Sequence, residues 1–140
     1  MMQNVILHNN NMTIIPAKKE YLLDTIEYVE NKLFILGCPY RLIVNFRVAV
    51  DELITNIINY GADNETTLFV QIDVYFNNQK GSYHIKISDK GKAFNLLKVS
   101  KTDEKFKAGG LGIFIVRKLM DEVKYSYVNG MNIVELIQFC

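Results

Sequence analysis

Glu52, Thr55, Asn56 and Asn59, with Asp63 just beyond them, follow one another at steps of three and four residues. That spacing brings side chains onto one face of a helix. Two carboxamides beside a carboxylate suit a cavity that coordinates a cation or positions a water, although a solvated stripe has the same pattern. A second group is Ser88-Asp89-Lys90-Gly91-Lys92-Ala93-Phe94. Asp followed two residues later by Gly is a common turn. A buried carboxylate there also accepts a hydrogen bond from an amino group, while Gly lets the backbone come close to a ring. The third group is Gly109-Gly110-Leu111-Gly112, preceded by Lys101, Lys105 and Lys107. Backbone N–H groups at a helix amino terminus, aided by the helix dipole, make an anion site, whereas the plain alternative is a glycine-rich turn. No Gly-Lys-Ser/Thr follows, so this is not a Walker loop, and the glycine spacing does not fit the dinucleotide fingerprint.

The elements that must position these groups follow from periodicity. Tyr21, Leu22, Ile26, Val29, Leu33 and Phe34 mark an amphipathic helix over residues 17 to about 36, ending near Gly37. A second helix over residues 39–60, begun by Pro39 and closed by Gly61, is apolar on most of its circumference and belongs in a core. Residues 68–76 and 83–88 largely alternate apolar with polar side chains around Asn77-Asn78-Gln79-Lys80-Gly81, which predicts a strand hairpin. A charged, weakly patterned stretch over residues 95–108 leads to a helix opened by the glycines and running to about Glu122. A structureless segment of that length is uncommon in a compact domain unless it acts as a lid. Strands near residues 123–128 and 133–139 flank Asn129-Gly130 and form another hairpin. Residues 1–15 are expected to add an edge hairpin across Asn9-Asn10-Asn11. This order predicts an α+β, two-layer sandwich with three helices on one face of a mixed, mostly antiparallel sheet.

Bulk properties narrow the classes. A chain of 140 residues fits a single domain over its whole length. Lys and Arg number 16 against 15 Asp and Glu, so no global positive field draws the chain to nucleic acid or anionic lipid. No apolar run approaches the roughly 20 residues that span a bilayer, and residues 1–12 lack the pattern of a secretory signal. A cytoplasmic protein is the expectation. Cys38 and Cys140 are read as a packed reduced thiol and a terminal one, and His8 and His84 as exposed strand residues rather than catalysts.

Taken in order and spacing, the three groups resemble the asparagine box and the two glycine boxes of the histidine-kinase-like ATPases. The resemblance runs from about Ala17 to the carboxy terminus. The run Ala49-Val50-Asp51-Glu52-Leu53-Ile54-Thr55-Asn56 and the closing Gly130-Met131-Asn132-Ile133-Val134-Glu135-Leu136 look most like the anti-sigma factor serine/threonine kinases of that superfamily. The resemblance implies the Bergerat ATP-binding fold, with ATP and Mg²⁺ as ligands. It implies that Asn56 ligates Mg²⁺ on the phosphates and that Glu52 orients or deprotonates the attacking hydroxyl. It implies that Asp89 holds the adenine amino group with Gly91 beneath the ring, and that Phe94 is also among the nucleotide-binding residues. Lys107, Gly110, Leu111 and Gly112 attend the phosphates. Two positions depart from the family pattern: Lys107 is the nearest cation where some members carry Arg, and Ala93 stands where a further Gly is usual.

The implied function is a protein serine kinase that phosphorylates a small anti-sigma factor antagonist and, in the other state of a partner switch, holds a sigma factor or similar regulator, as a homodimer. Two alternatives are a non-catalytic, nucleotide-dependent binding module using the same pocket and a histidine-kinase catalytic domain detached from its phosphoacceptor. Neither histidine lies in a dimerising helical hairpin, which ranks the last reading lowest.

Overall fold

A corner made by Leu36-Gly37-Cys38-Pro39 sets the first two helices against each other. α1 spans Leu22–Ile35 and α2 spans Tyr40–Tyr60. Gly37 has φ of 82°, a left-handed conformation that glycine adopts without a Cβ penalty. Its N–H reaches the carbonyl of Phe34 and that of Cys38 reaches Leu33, both at 3.0 Å, so the last carbonyls of α1 are satisfied in a Schellman arrangement. Pro39 then opens α2, its carbonyl accepting from Leu42 and Ile43 at 2.9 and 3.1 Å. A computed structural model describes residues 7–8, 12–61, 68–98 and 111–140, the first pair by backbone alone.

The strands are β1 (Leu7–His8), β2 (Met12–Pro16), β3 (Phe69–Asn77), β4 (Ser82–Asp89), β5 (Glu122–Val128) and β6 (Met131–Phe139). The third described helix, α3, spans Leu111–Leu119. The strands form one sheet in the order β1-β2-β3-β4-β6-β5. Every pairing among the described residues is antiparallel, in line with the mostly antiparallel sheet expected. β3–β4 and β5–β6 are hairpins, β3 returns from α1 and α2 to pair with β2, and β6 meets β4 after the chain has passed through α3 and β5. β1 and β2 pair as expected, with Leu7 opposite Ile14, although the intervening asparagines lie outside the described residues. Asn129 and Gly130 take φ of 52° and 76°, the paired left-handed geometry of a two-residue hairpin turn.

Alternation divides the sheet into two faces. Val70, Ile72 and Val74 of β3, Ile85 and Ile87 of β4 and Leu136 of β6 join Val29, Leu33, Phe46, Val50 and Ile54 from the helices in a common core. This is the α+β architecture expected, helices on one face of the sheet.

Several boundaries move. A short 3-10 turn, Lys19–Tyr21, occupies the start of the expected first helix, so α1 proper begins at Leu22. The helix opened by the glycines ends at Leu119, and β5 takes over Glu122. The expected loose stretch from residue 95 is anchored at its start: Leu96–Lys98 form a 3-10 turn and Leu96 is 1% exposed. Residues 99–108 lie outside the described region. His84, expected on the surface, is buried with Ser82 and half-buried Glu135. Cys38 is buried, Cys140 exposed, and both are free thiols. Among the described residues, no helix is long and apolar enough to cross a membrane.

Candidate functional site

Between α2 and the sheet lies an open-mouthed cavity. Its apolar walls include Leu53 and Ile57 of α2, Ile87 of β4, Leu96 and Phe94. Asn56, Asp89, Lys92 and Asn132 bring polar groups to it.

Asp89 ends β4, opposite Asn132 of β6 in register. Its Oδ1 accepts from the backbone N–H of Gly91 at 2.8 Å and from Nδ2 of Asn132 at 3.2 Å. Asp89 is 6% exposed, and burial raises its pKa from the usual carboxylate value, the two hydrogen bonds offsetting part of that rise.

Gly91 is constrained by its neighbours. A Cβ built on it would fall 2.4 Å from the carbonyl oxygen of Gly61 and 2.8 Å from Asp89 Oδ1. Gly61 itself caps α2, and its carbonyl accepts from Lys92 N at 3.2 Å. The loop after β4 is thus stitched to the end of α2, so both walls of the cavity are tied together.

Of the expected polar face on α2, the structure brings only part to the cavity. Asn56 lines it. Glu52, one turn earlier, faces the start of α3, where a Cβ on Gly112 would lie 1.8 Å from Glu52 Oε2. The pKa of Glu52 is raised, first by burial and then by the neighbouring Asp51. Thr55 turns back along its own helix and donates to Asp51 Oδ1 at 3.3 Å, Asn59 is exposed, and Asp63 lies outside the described residues. Phe94 is half-buried in the cavity wall, and Leu111 is exposed at the start of α3. Lys107 and Gly110 lie outside the described residues.

Asn132 lies in the closing strand and lines the cavity, where sequence alone does not mark it as a site residue. Its Nδ2 donates to Gly91 O at 3.3 Å and Lys92 O at 2.8 Å besides Asp89, and its Oδ1 accepts from Phe94 N at 3.0 Å and the Tyr125 hydroxyl at 2.5 Å. It was legible only through the pairing of β4 with β6, which no local pattern reveals.

Comparisons with known proteins fit this arrangement. The profile of the histidine kinase-like ATPase domain matches residues 15–138. The chain belongs to that family. Serine-protein kinase RsbW of Oceanobacillus iheyensis is 33% identical over 133 residues, 86% of this chain and 80% of the relative. Serine-protein kinase RsbW of Listeria innocua is 27% identical over 137 residues, 91% of this chain and 86% of the relative. Within that family this chain is a member of the anti-sigma factor serine-kinase group. Among solved structures, the RsbU and RsbW domains of a Mycobacterium tuberculosis protein superpose with a TM-score of 0.64 at 14% identity, covering 96% of this chain and 32% of that one. The SiaB–SiaC complex of Pseudomonas aeruginosa matches with a TM-score of 0.62 at 13% identity, covering 94% of this chain and 89% of that one. These structural likenesses concern the fold alone.

Proposed function

We propose that the cavity beneath α2 binds ATP with Mg²⁺ and that the chain transfers the terminal phosphoryl group to a serine of a small antagonist protein, alternately sequestering a sigma factor or similar regulator. The observation that carries this reading is Asp89: a buried carboxylate whose Oδ1 is held by Gly91 and Asn132 at the wall of an otherwise mostly apolar cavity. Such a group recognises an exocyclic amino group, and the apolar walls take the faces of a flat ring.

The donor set suits Mg²⁺ of the kind carried by nucleotides. Among the described residues no cluster of three or more His, Cys, Asp or Glu could cage a metal, and Mg²⁺ in nucleotide sites relies on phosphate and water oxygens with one or two protein ligands. The Asn56 carboxamide oxygen is the group that would hold it, where it would neutralise charge on the phosphates. Glu52 is the proposed proton acceptor for the incoming serine hydroxyl. Its pKa, raised by burial and Asp51, makes it a stronger base than an ordinary glutamate. Gly112, without a side chain, lets the start of α3 approach that carboxylate. Lys107 and Gly110 complete the phosphate side of the site in this reading. The chain acts in the cytoplasm and works as a homodimer.

Calorimetric titration with ATP, with and without Mg²⁺, tests the site, and labelled-phosphate transfer to antagonist proteins tests the activity. Absence of ATP binding under both conditions would falsify the nucleotide reading. Binding without transfer to an authentic partner leaves a nucleotide-dependent binding module in its place.

A further inference from the structure

Cys38 and Cys140 stand apart from the cavity and from the chemistry proposed for it, yet the fold sets them against each other. α2 and β6 run antiparallel. At one end Gln138 Nε2 donates to Leu42 O at 2.9 Å, and Asn45 Nδ2 donates to Gln138 Oε1 at 3.2 Å. At the other end Asn56 and Asn132 line the cavity together. The two spans agree in length, about 21 Å of helix from Leu42 to Asn56 and about 20 Å of strand from Asn132 to Gln138.

Past Gln138, two further strand residues, about 7 Å, reach Cys140, and four residues back from Leu42, about 6 Å at helical rise, reach Cys38. The Cys140 N–H donates to Gly81 O at 3.0 Å, so the ladder continues beyond Phe139. Alternation then puts the Cys140 side chain on the helix side of the sheet, with Leu136 and Gln138. Tyr83, opposite Gln138 in register, packs in the same core as Cys38, and its hydroxyl bonds the Cys140 thiol.

The two thiols differ in setting. Cys140 is exposed, whereas Cys38 is buried at the corner between α1 and α2. Burial pushes the Cys38 thiol up to about 11, the neighbouring Cys140 adding to the rise and Arg41 opposing it. Cys140 is open to a dissolved oxidant, and Cys38 is shielded from one.

We propose that Cys38 and Cys140 form a reversible thiol–disulfide site, which low-molecular-weight disulfides close into a bond tying the start of α2 to the end of β6. The Cys140 thiolate attacks one sulfur of the small disulfide, forming a mixed disulfide and expelling a thiolate. Cys38 then gives up its proton, its sulfur attacks Cys140 Sγ, and the second small thiolate leaves. The two small thiolates take up the protons that the cysteines lost. One small disulfide is thus reduced to two thiols while the two cysteines are oxidised. In a reducing compartment such a bond is transient and redox-sensing. It closes a loop of roughly 100 residues, a length at which a cross-link strongly constrains the unfolded chain.

Dithiobis(nitrobenzoate), a coloured disulfide of this class, tests the site on the wild type, Cys38→Ser and Cys140→Ser. The wild type is expected to release the coloured thiolate in two phases and to end as a single chain lighter by two hydrogens, with no label attached. Cys38→Ser stops after the first phase and keeps its label, and Cys140→Ser loses the fast phase. Because Cys38 must ionise, the second phase should quicken by about tenfold per pH unit from about pH 7 to about pH 9. The closed form should melt at least about 5 °C higher than the reduced one and return on reduction with dithiothreitol. A wild type that keeps a label on both cysteines, or that cross-links between chains, overturns the proposal, as does a closed form that melts no higher. Where a serine variant does not fold, peptide mapping of the oxidised wild type decides: a peptide joining Cys38 to Cys140 supports the site, and its absence overturns it.

Discussion

A Cβ built on Gly112 would fall 1.8 Å from Oε2 of Glu52, so the carboxylate of α2 occupies the space that any side chain at the start of α3 would fill. The family resemblance implies a role for Gly112 at the phosphates. The geometry supplies a different reason for a glycine here, the close approach of the proposed proton acceptor. Gly112→Ala is expected to push the flexible end of Glu52 aside rather than break the fold, because alanine suits a helix better than glycine by roughly 0.5–1 kcal/mol. Phosphoryl transfer should fall at least tenfold, with ATP affinity within about threefold of wild type. A steady-state assay beside a thermal melt checks both. Wild-type transfer would detach Gly112 from the placement of Glu52.

Glu52→Gln removes the base while keeping size and packing. Transfer to the partner should drop by about 10²–10⁴-fold with ATP binding retained. The pH profile adds a second reading. Because burial and Asp51 raise the Glu52 pKa above its ordinary 4.5, the acid limb of the transfer rate should lie above that value, activity falling as pH drops and Glu52 takes up its proton. Asp51→Asn removes the like charge and should move that limb to lower pH. An unmoved limb would assign it to another group.

The part of this site that was legible in the sequence is the part carried by local spacing. The three-and-four steps of α2 placed Asn56 on the cavity, and the strand-then-turn pattern placed Asp89 at the end of β4. The same spacing overstated the shared face: Thr55 bonds Asp51 along the helix and Asn59 stays exposed, because a helix turn fixes direction and not what lies opposite. Asn132 is not legible there because its hydrogen bond to Asp89 depends on β6 lying beside β4, a pairing across 43 residues of chain. The burial of His84 is hidden in the sequence for a related reason. A lone histidine in an alternating strand reads as exposed until its cross-strand neighbours are known.

Asp89→Asn separates binding from stability. Burial penalises the ionised carboxylate, which raises its pKa, so the charge is a cost to the folded state. Asparagine keeps an oxygen for the Gly91 and Asn132 donors and removes that cost. The variant should melt at or above the wild-type temperature. It should bind ATP tens-fold more weakly, since a hydrogen bond to a charged group is worth roughly 1.5–3 kcal/mol. Unchanged ATP affinity in a folded variant would take Asp89 out of the site, and a lower melting temperature would show that the carboxylate is structural.

The network around His84 gives the fold its own acid sensitivity. Ser82 Oγ and His84 Nε2 are 2.7 Å apart, His84 Nδ1 lies 3.0 Å from Glu135 Oε2, and the Tyr75 hydroxyl donates to the same oxygen. The Tyr75 and His84 rings stack with centroids 4.7 Å apart. Burial alone would raise the Glu135 pKa, but the hydrogen bonds from Tyr75 and His84, with the charges of His84 and Lys86, bring it below its ordinary 4.5. A carboxyl with a lowered folded-state pKa contributes stability that is present above its unfolded value and lost as pH falls through the folded one. Glu135→Gln should therefore be less stable than wild type at neutral pH, by about 1 kcal/mol, the order of one charge-assisted hydrogen bond in a half-exposed setting. The difference should close as pH drops below about 4.5, where the wild-type carboxyl takes up its proton too. Denaturant unfolding of both proteins across this range checks it, and a stability gap that stays constant down to the acid end would mean that the ionisation of Glu135 contributes nothing.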